Sequence, residues 1–168
     1  MMKIILIRHA SRVRDPNSND DKDLQLTSDG VSEARELGDK MVSLGLRPTL
    51  FLTSCHAHAK QTGEILRDQV AGDHSAPVVA IRSLTPNEPY DFEEIIRESG
   101  QNKYDLSKLD LVAFVLHHPR LNQLLERLTS QSVSRGKPDY SEAVCLTADS
   151  LGEFLQGKGY EEFRIEAR

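Results

Sequence analysis

Cysteine is nearly absent: only Cys55 and Cys145 occur in 168 residues, far apart and with no metal-type spacing, so the chain is not organised as a disulfide scaffold and both are read as free thiols. No apolar stretch approaches the length of a membrane span. The amino terminus has one lysine before a very short apolar run and no cleavage-type segment, so it is not read as a signal peptide, and the expected compartment is the cytosol. Positive charge is in deficit: 21 Lys and Arg against 26 Asp and Glu leave a formal charge of -5, which argues against a general nucleic-acid surface. Neither an internal repeat nor a domain linker is visible. The length suits a single domain spanning 1–168 with a substantial core.

What is present is an alternation of apolar strand-like runs with helical patterns. Ile4 to Ile7, Leu50 to Leu52, Val78 to Ile81 and Leu111 to Leu116 are short runs rich in β-branched or large apolar residues, as buried parallel strands are. Between them, Ser28 to Leu44 sets Val31, Ala34, Leu37, Met41 and Leu44 at helical spacing, with Glu33, Arg35, Glu36 and Lys40 expected to face away. Thr27 or Ser28 would cap this helix and Gly45 would end it. Ala57 to Val70, stopped near Gly72, Asp91 to Glu98, and Pro119 to Leu128 with its first-turn proline supply three more. Such alternation implies an α/β three-layer sandwich: a mostly parallel central sheet, helices on both faces and right-handed crossovers. In the tail, Ala143 to Thr147 and Glu161 to Ile165 read as strands at the sheet edge, separated by Asp149 to Leu155 and a Gly157-Lys158-Gly159 turn. The acidic, apolar-poor span from Asp15 to Asp23 reads as a mobile loop beside the site, and Ser130 to Tyr140 as another loop.

The chemistry is concentrated where the first strand ends. Ile4 to Ile7 runs directly into Arg8 and His9, with Arg12 and Arg14 behind, a local basic cluster in an acidic chain. Ligands of open α/β sheets collect at the carboxyl ends of strands, and Arg8-His9, Ser54 and His117 all fall at such ends. A neutral imidazole is a competent nucleophile toward phosphorus, and an adjacent guanidinium neutralises the charge of a phosphoryl group. His9 is therefore the candidate nucleophile and Arg8 its charged partner. Taken without its arginine neighbour, His9 reads as a buried structural histidine at a strand end. Arg12 can reach the same phosphate or lie exposed on the loop.

Five segments in order carry a resemblance. Arg8-His9-Ala10, Leu26-Thr27-Ser28-Asp29-Gly30, Ser54 through Ala59-Lys60-Gln61-Thr62, Leu84-Thr85-Pro86 and His117-His118-Pro119 resemble the R-H-G/A, L-T-x-x-G, S-x-x-x-R-A-x-Q-T, L-T-P and H-x-P motifs of the histidine phosphatase superfamily, whose fold is that of the phosphoglycerate mutases. The SixA-type phosphohistidine phosphatases are the branch most similar to it. The likeness covers Lys3 to about residue 130. It implies a metal-independent phosphatase with a phosphohistidine intermediate on His9, His117 as the second histidine donating to the phosphoryl group, and no cofactor. The implied substrate is a phosphohistidine protein or a small phosphorylated molecule. One position departs: where the family has a second phosphate-binding arginine, this chain has His58, which is mostly neutral near pH 7 and lacks a bidentate fork.

Other candidates follow from that gap. Ser54 and His58 are expected at the phosphate, His58 donating when protonated, and Arg82 at the end of the third strand can lend the missing charge. Alcohol leaving groups need a general acid, for which Glu88 is the candidate, against the alternative of a solvated loop carboxylate; a phosphoryl group on histidine leaves without one. The Asp15 to Asp23 run lacks a full calcium-loop pattern, and His56 with His58 has no further spaced ligand for zinc, so no metal is expected. His118 is expected as a rim residue. Two alternatives accompany the phosphohistidine phosphatase: a phosphate- or phosphoprotein-binding module whose turnover was lost with the arginine, and a small-molecule phosphomonoesterase.

Overall fold

Strand β1 (Met2–Arg8) divides the core in two. Met2, Ile4 and Leu6 join one apolar cluster while Ile5 and Ile7 join another, because successive strand side chains point to opposite faces. Both sets are apolar, so the sheet must be covered on both sides. The computed structural model, which describes residues 1–17, 20–71, 75–88, 91–132 and 136–168, shows that cover. Helices α1 (Ser28–Ser43) and α2 (Ala57–Ala71) supply Leu37, Met41, Leu66 and Val70 to the Ile5 side. Helices α3 (Phe92–Gln101), α4 (Arg120–Thr129) and α5 (Leu151–Leu155) supply Phe92, Ile95, Leu121, Leu124, Leu128 and Phe154 to the Ile4 side.

The other strands are β2 (Phe51–Thr53), β3 (Val78–Ala80), β4 (Leu111–Leu116), β5 (Ala143–Ala148) and β6 (Tyr160–Ile165). Their order is β3-β2-β4-β1-β5-β6, the first four mutually parallel and β5 and β6 antiparallel to their neighbours. The expected sandwich with a mostly parallel sheet is therefore the observed one. One expectation is corrected: β5 is not an edge strand but lies between β1 and β6, and each of its residues is buried. Only β6 borders the sheet on that side. Its run of charges between Glu161 and Arg164 suits an exposed edge, where charge discourages pairing with another chain.

Helix α1 starts and stops as its sequence predicts. Thr27 Oγ1 accepts from the Gly30 N–H at 2.9 Å, and Gly45, at φ +71°, follows the Leu44 cap. Glu33, expected to face solvent, is instead turned inward and 7% exposed; its role appears below. Pro119 sits at the N-cap of α4 rather than in its first turn. The expected stop of α2 at Gly72 lies outside the described residues, as do 133–135 of the loop after α4 and 18–19 of the acidic loop.

Gly30 explains how α1 holds the segment after β1. A Cβ at this position would overlap the carbonyl oxygen of Ser11, so the helix and the chain two residues past His9 touch backbone to backbone. We expect Gly30→Ala to force them apart, lowering the unfolding free energy by about 1–3 kcal/mol and disturbing the His9 segment. Urea midpoints of the two proteins check this, and equal midpoints would refute the close approach.

Candidate active site

Strand ends bring four histidines together. His9 follows β1, with its backbone N–H donating to Leu116 O at 3.1 Å; His117 follows β4; His56 precedes α2 and His58 lies in its first turn. Ring centroids are 4.4 Å apart for His9 and His58, 4.8 Å for His9 and His117, 4.9 Å for His56 and His117, and 5.3 Å for His58 and His117. His9 is 4% and His58 0% exposed.

Three of the four rings are oriented by a specific bond. His9 Nδ1 lies 2.8 Å from Ala10 O, and since a carbonyl only accepts, Nδ1 carries the proton and Nε2 the lone pair. The same reasoning at His58, whose Nδ1 is 3.1 Å from Leu24 O, leaves its Nε2 unprotonated, buried and without a partner. Ser54 Oγ accepts from the His56 N–H at 3.2 Å and lies 2.7 Å from His117 Nε2. Ser54 Oγ and His117 Nε2 thus share one hydrogen bond that fixes the orientation of the ring.

Burial keeps the cluster neutral. It pulls the His9 pKa down to about 3, helped by the neighbouring His58 ring and the charges of Arg8 and Arg12, and pulls that of His58 down to about 4. His117 is lowered further still, by burial and then by the rings of His9, His58 and His56. His56, nearer solvent, is lowered by burial against the opposing pull of Asp21.

Arg8 is buried beside His9. Its Nη1 donates to Pro138 O at 2.7 Å and its guanidinium lies 4.0 Å from the centre of the Tyr140 ring, while Nε has no partner. The charge is thus held rigidly, and burial lowers the guanidinium pKa from its ordinary value. Arg12 pairs with Asp21 at 3.2 Å, so it stands at the cluster rim rather than free on the loop. Ser54 is fully buried under His117.

Arg82 and Glu88 are not brought to the cluster. They pair with each other at 3.0 Å, the Arg82 side chain is 76% exposed, and the groove they line with Ser83, Asp91, Glu94 and Glu98 contains none of the four rings. The arrangement does not use Arg82 to replace the missing arginine. His118 is half-buried beside the cluster, its pKa lowered by burial.

Several further residues hold the site, and of these Ser11, Glu33 and Arg120 carry no signal of their own in the sequence. Glu33 accepts from Ser11 N at 3.0 Å and from Ser11 Oγ at 2.6 Å, and Thr27 N donates to Ser11 O at 3.0 Å, so α1 grips the chain just past His9. Thr62 Oγ1 donates to His58 O at 2.7 Å and accepts from Ala10 N at 3.1 Å, tying α2 to the same segment. Gln61 Oε1 accepts from Leu26 N at 2.9 Å, and Thr85 Oγ1 accepts from Cys55 N at 2.9 Å. Arg120 donates to Ser83 O and Glu88 O, fixing the loop that carries Thr85. The motif residues Gln61, Thr62 and Thr85 are thus backbone clamps.

The acidic loop lies beside the site as expected, and its second half is tied down. Ala57 N donates to Lys22 O at 2.8 Å, Leu24 O holds His58, and Asp21 Oδ1 lies 3.5 Å from His56 Nδ1. The fold thereby supplies a carboxylate that spacing alone did not connect with His56 and His58. Asp21, His56 and His58 form one group whose ligand atoms lie within 4.8 Å of one another, and His9, His58 and His117 form a second.

Neutral buried histidines couple stability to pH. Folded-state values below the unfolded value of about 6.5 mean that the unfolded chain takes up protons first as pH falls. Stability is therefore expected to drop from roughly pH 7 to pH 5 by about 2 kcal/mol for each histidine that stays neutral, read as falling urea midpoints. Midpoints that do not move would show that the rings are not buried in neutral form.

No family model and no curated protein matches the chain in sequence. Solved structures do resemble it. The protein histidine phosphatase SixA complexed with tungstate superposes with a TM-score of 0.78 at 19% identity, over 99% of this chain and 97% of that one. A SixA structure from Agrobacterium tumefaciens gives 0.73 at 18% identity, over 98% and 97%. A mycobacterial glucosyl-3-phosphoglycerate phosphatase complexed with VO3 gives 0.69 at 13%, over 97% and 98%. At such identities the likeness is one of fold, and the fold of this chain is that of the histidine phosphatases.

Proposed function

We propose that this chain is a phosphatase that acts through a phosphohistidine intermediate on His9, with phosphohistidine in a protein as its substrate. The observation that carries the reading is the state of His9. Its Nδ1 is fixed to Ala10 O, its Nε2 lone pair is available, and its pKa near 3 keeps it neutral throughout the physiological range. The similar structures complexed with tungstate and VO3 support a fold that takes up phosphate-like oxyanions.

The steps follow from the geometry. His9 Nε2 attacks phosphorus, the bond from phosphorus to the leaving nitrogen breaks, and the leaving imidazole takes a proton from solvent. Water then attacks phospho-His9, releasing phosphate and restoring the neutral ring. Arg8 offsets the charge on the phosphoryl oxygens, and His117 stands beside His9 as a second imidazole to hydrogen-bond them. An alcohol leaving group would need a carboxylic acid aimed at it. Three candidate carboxylates are engaged otherwise: Asp21 with Arg12, Glu33 with Ser11 and Glu88 with Arg82. That favours the nitrogen-linked substrate over a phosphate ester.

His9→Ala is expected to abolish hydrolysis of a phosphohistidine peptide, and acid-quench trapping of the wild type should give a phosphoenzyme that the variant lacks. Turnover unchanged in the variant would remove the covalent mechanism.

His58 supports a slower enzyme than one with two arginines at the phosphate, because a fully buried neutral ring brings no charge. Restoring the guanidinium with His58→Arg is expected to tighten inorganic phosphate binding by about tenfold, the scale of one charge-assisted hydrogen bond. Titration calorimetry reads this. Equal or weaker binding would show that the pocket has been rebuilt around the imidazole.

A further inference from the structure

Among the described residues two buried ring nitrogens near the site have no hydrogen-bond partner, His56 Nδ1 and His58 Nε2, and Asp21, His56 and His58 each place one ligand atom within 4.8 Å of the others. Leaving polar atoms unpaired in a protein interior is costly, so the buried His58 nitrogen calls for an occupant that accepts its lone pair. The His58 lone pair is assigned by its bond to Leu24 O. Asp21 divides its two oxygens: Oδ2 pairs with Arg12 at 3.2 Å, and Oδ1 stands 3.5 Å from His56 Nδ1. We propose that Asp21, His56 and His58 bind a divalent first-row transition ion of the zinc class, and that its open coordination position faces the phosphoryl pocket and supplies the positive charge that His58 does not.

The donor chemistry fits. Two imidazoles and a carboxylate suit zinc and its neighbours in the first row, and three protein ligands leave room for an exogenous oxygen. Asp20 and Asp23 of the same loop add negative charge that reaches His56, against the positive start of α2 and the Arg12 guanidinium. The backbone around the group is fixed on both sides, by Ala57 N on Lys22 O and by Leu24 O on His58. His58 belongs to both the ion group and the histidine cluster, with its ring 4.4 Å from that of His9 and 5.3 Å from that of His117. An oxygen of a phosphoryl group on His9 is thereby within reach of an ion on His58. His9 and His117 stay free for the reaction, which the other possible trio, His9, His58 and His117, would not allow.

Binding of the ion stands apart from the phosphatase reading; only its effect on phosphate rests on it. The test titrates chelator-treated full-length protein with zinc alone, then measures inorganic phosphate affinity with and without one equivalent of zinc. Cobalt replaces zinc in a parallel sample so that its visible spectrum reports nitrogen and oxygen ligands. The expected result is one zinc per chain, weakened at least ~10-fold in Asp21→Asn and in His56→Ala, unchanged in His9→Gln, with phosphate bound more tightly when zinc is present. Urea midpoints of the variants confirm that each is folded, and the cobalt spectrum of the wild type is independent of them.

Absence of zinc binding by the wild type overturns the proposal. So does binding that survives in Asp21→Asn and His56→Ala but fails in His9→Gln, since the ion would then sit on the other trio. Zinc bound with phosphate affinity unchanged overturns the link to the phosphoryl pocket. Phosphoenzyme trapped from chelator-treated protein keeps the covalent reading even if the ion site fails.

Discussion

Strand β1 lies between a parallel neighbour, β4, and an antiparallel one, β5, with apolar side chains on both faces. It has no freedom to shift: a slip of one residue would turn every side chain to the wrong layer. Its carboxyl end is therefore a fixed point, and Arg8 and His9 are the first residues beyond the apolar run. Because β4 is parallel and in register, its own end brings His117 alongside, with His9 N–H bonded to Leu116 O. The histidine cluster is a consequence of how the sheet pairs.

The loops then decide what that point can do. Ser11 is held from three sides of α1, by Thr27, Glu33 and the bare backbone at Gly30. Thr62 holds Ala10 from α2. With both neighbours anchored, the His9 ring has one orientation, and its reactive nitrogen is defined by the proton on the other. Preorganisation of this kind means that little rearrangement is needed when a phosphoryl group arrives. Arg8, stacked on Tyr140 and bonded to Pro138, is held in the same way by the segment that leads into β5.

Burying several imidazoles in contact makes the site chemically unusual. Each ring disfavours charge on the others, so the group is basic in composition and neutral in fact. An arginine in place of His58 would bring permanent charge; the histidine brings a lone pair. Nucleophilic attack on phosphorus and coordination of a cation both use such lone pairs, which is why one small pocket supports both readings.

Much of the fold was legible in the chain. Short apolar runs and 3.6-residue periods located β1, β4, α1, α2, α3 and α4 within a few residues, and the strand-end rule put His9, Ser54 and His117 on one edge. Local signals suffice there because a buried strand or an amphipathic helix is specified by its own residues. The place of β5 inside the sheet was not legible, since pairing partners are chosen by residues far away in sequence. Nor was the inward turn of Glu33, whose helical position reads as exposed until Ser11 is seen to need it. Arg82 was drawn to the site by its place at a strand end and Glu88 by the need for an acid, yet they pair with each other at the surface. Asp21 joined His56 and His58 only through the fold, across more than thirty residues of chain. Sequence by itself determined which elements form and which residues end the strands, because these depend on short-range pattern. Tertiary structure alone decided which side chains share a pocket and which protons they keep, because contact and burial are properties of the packed whole.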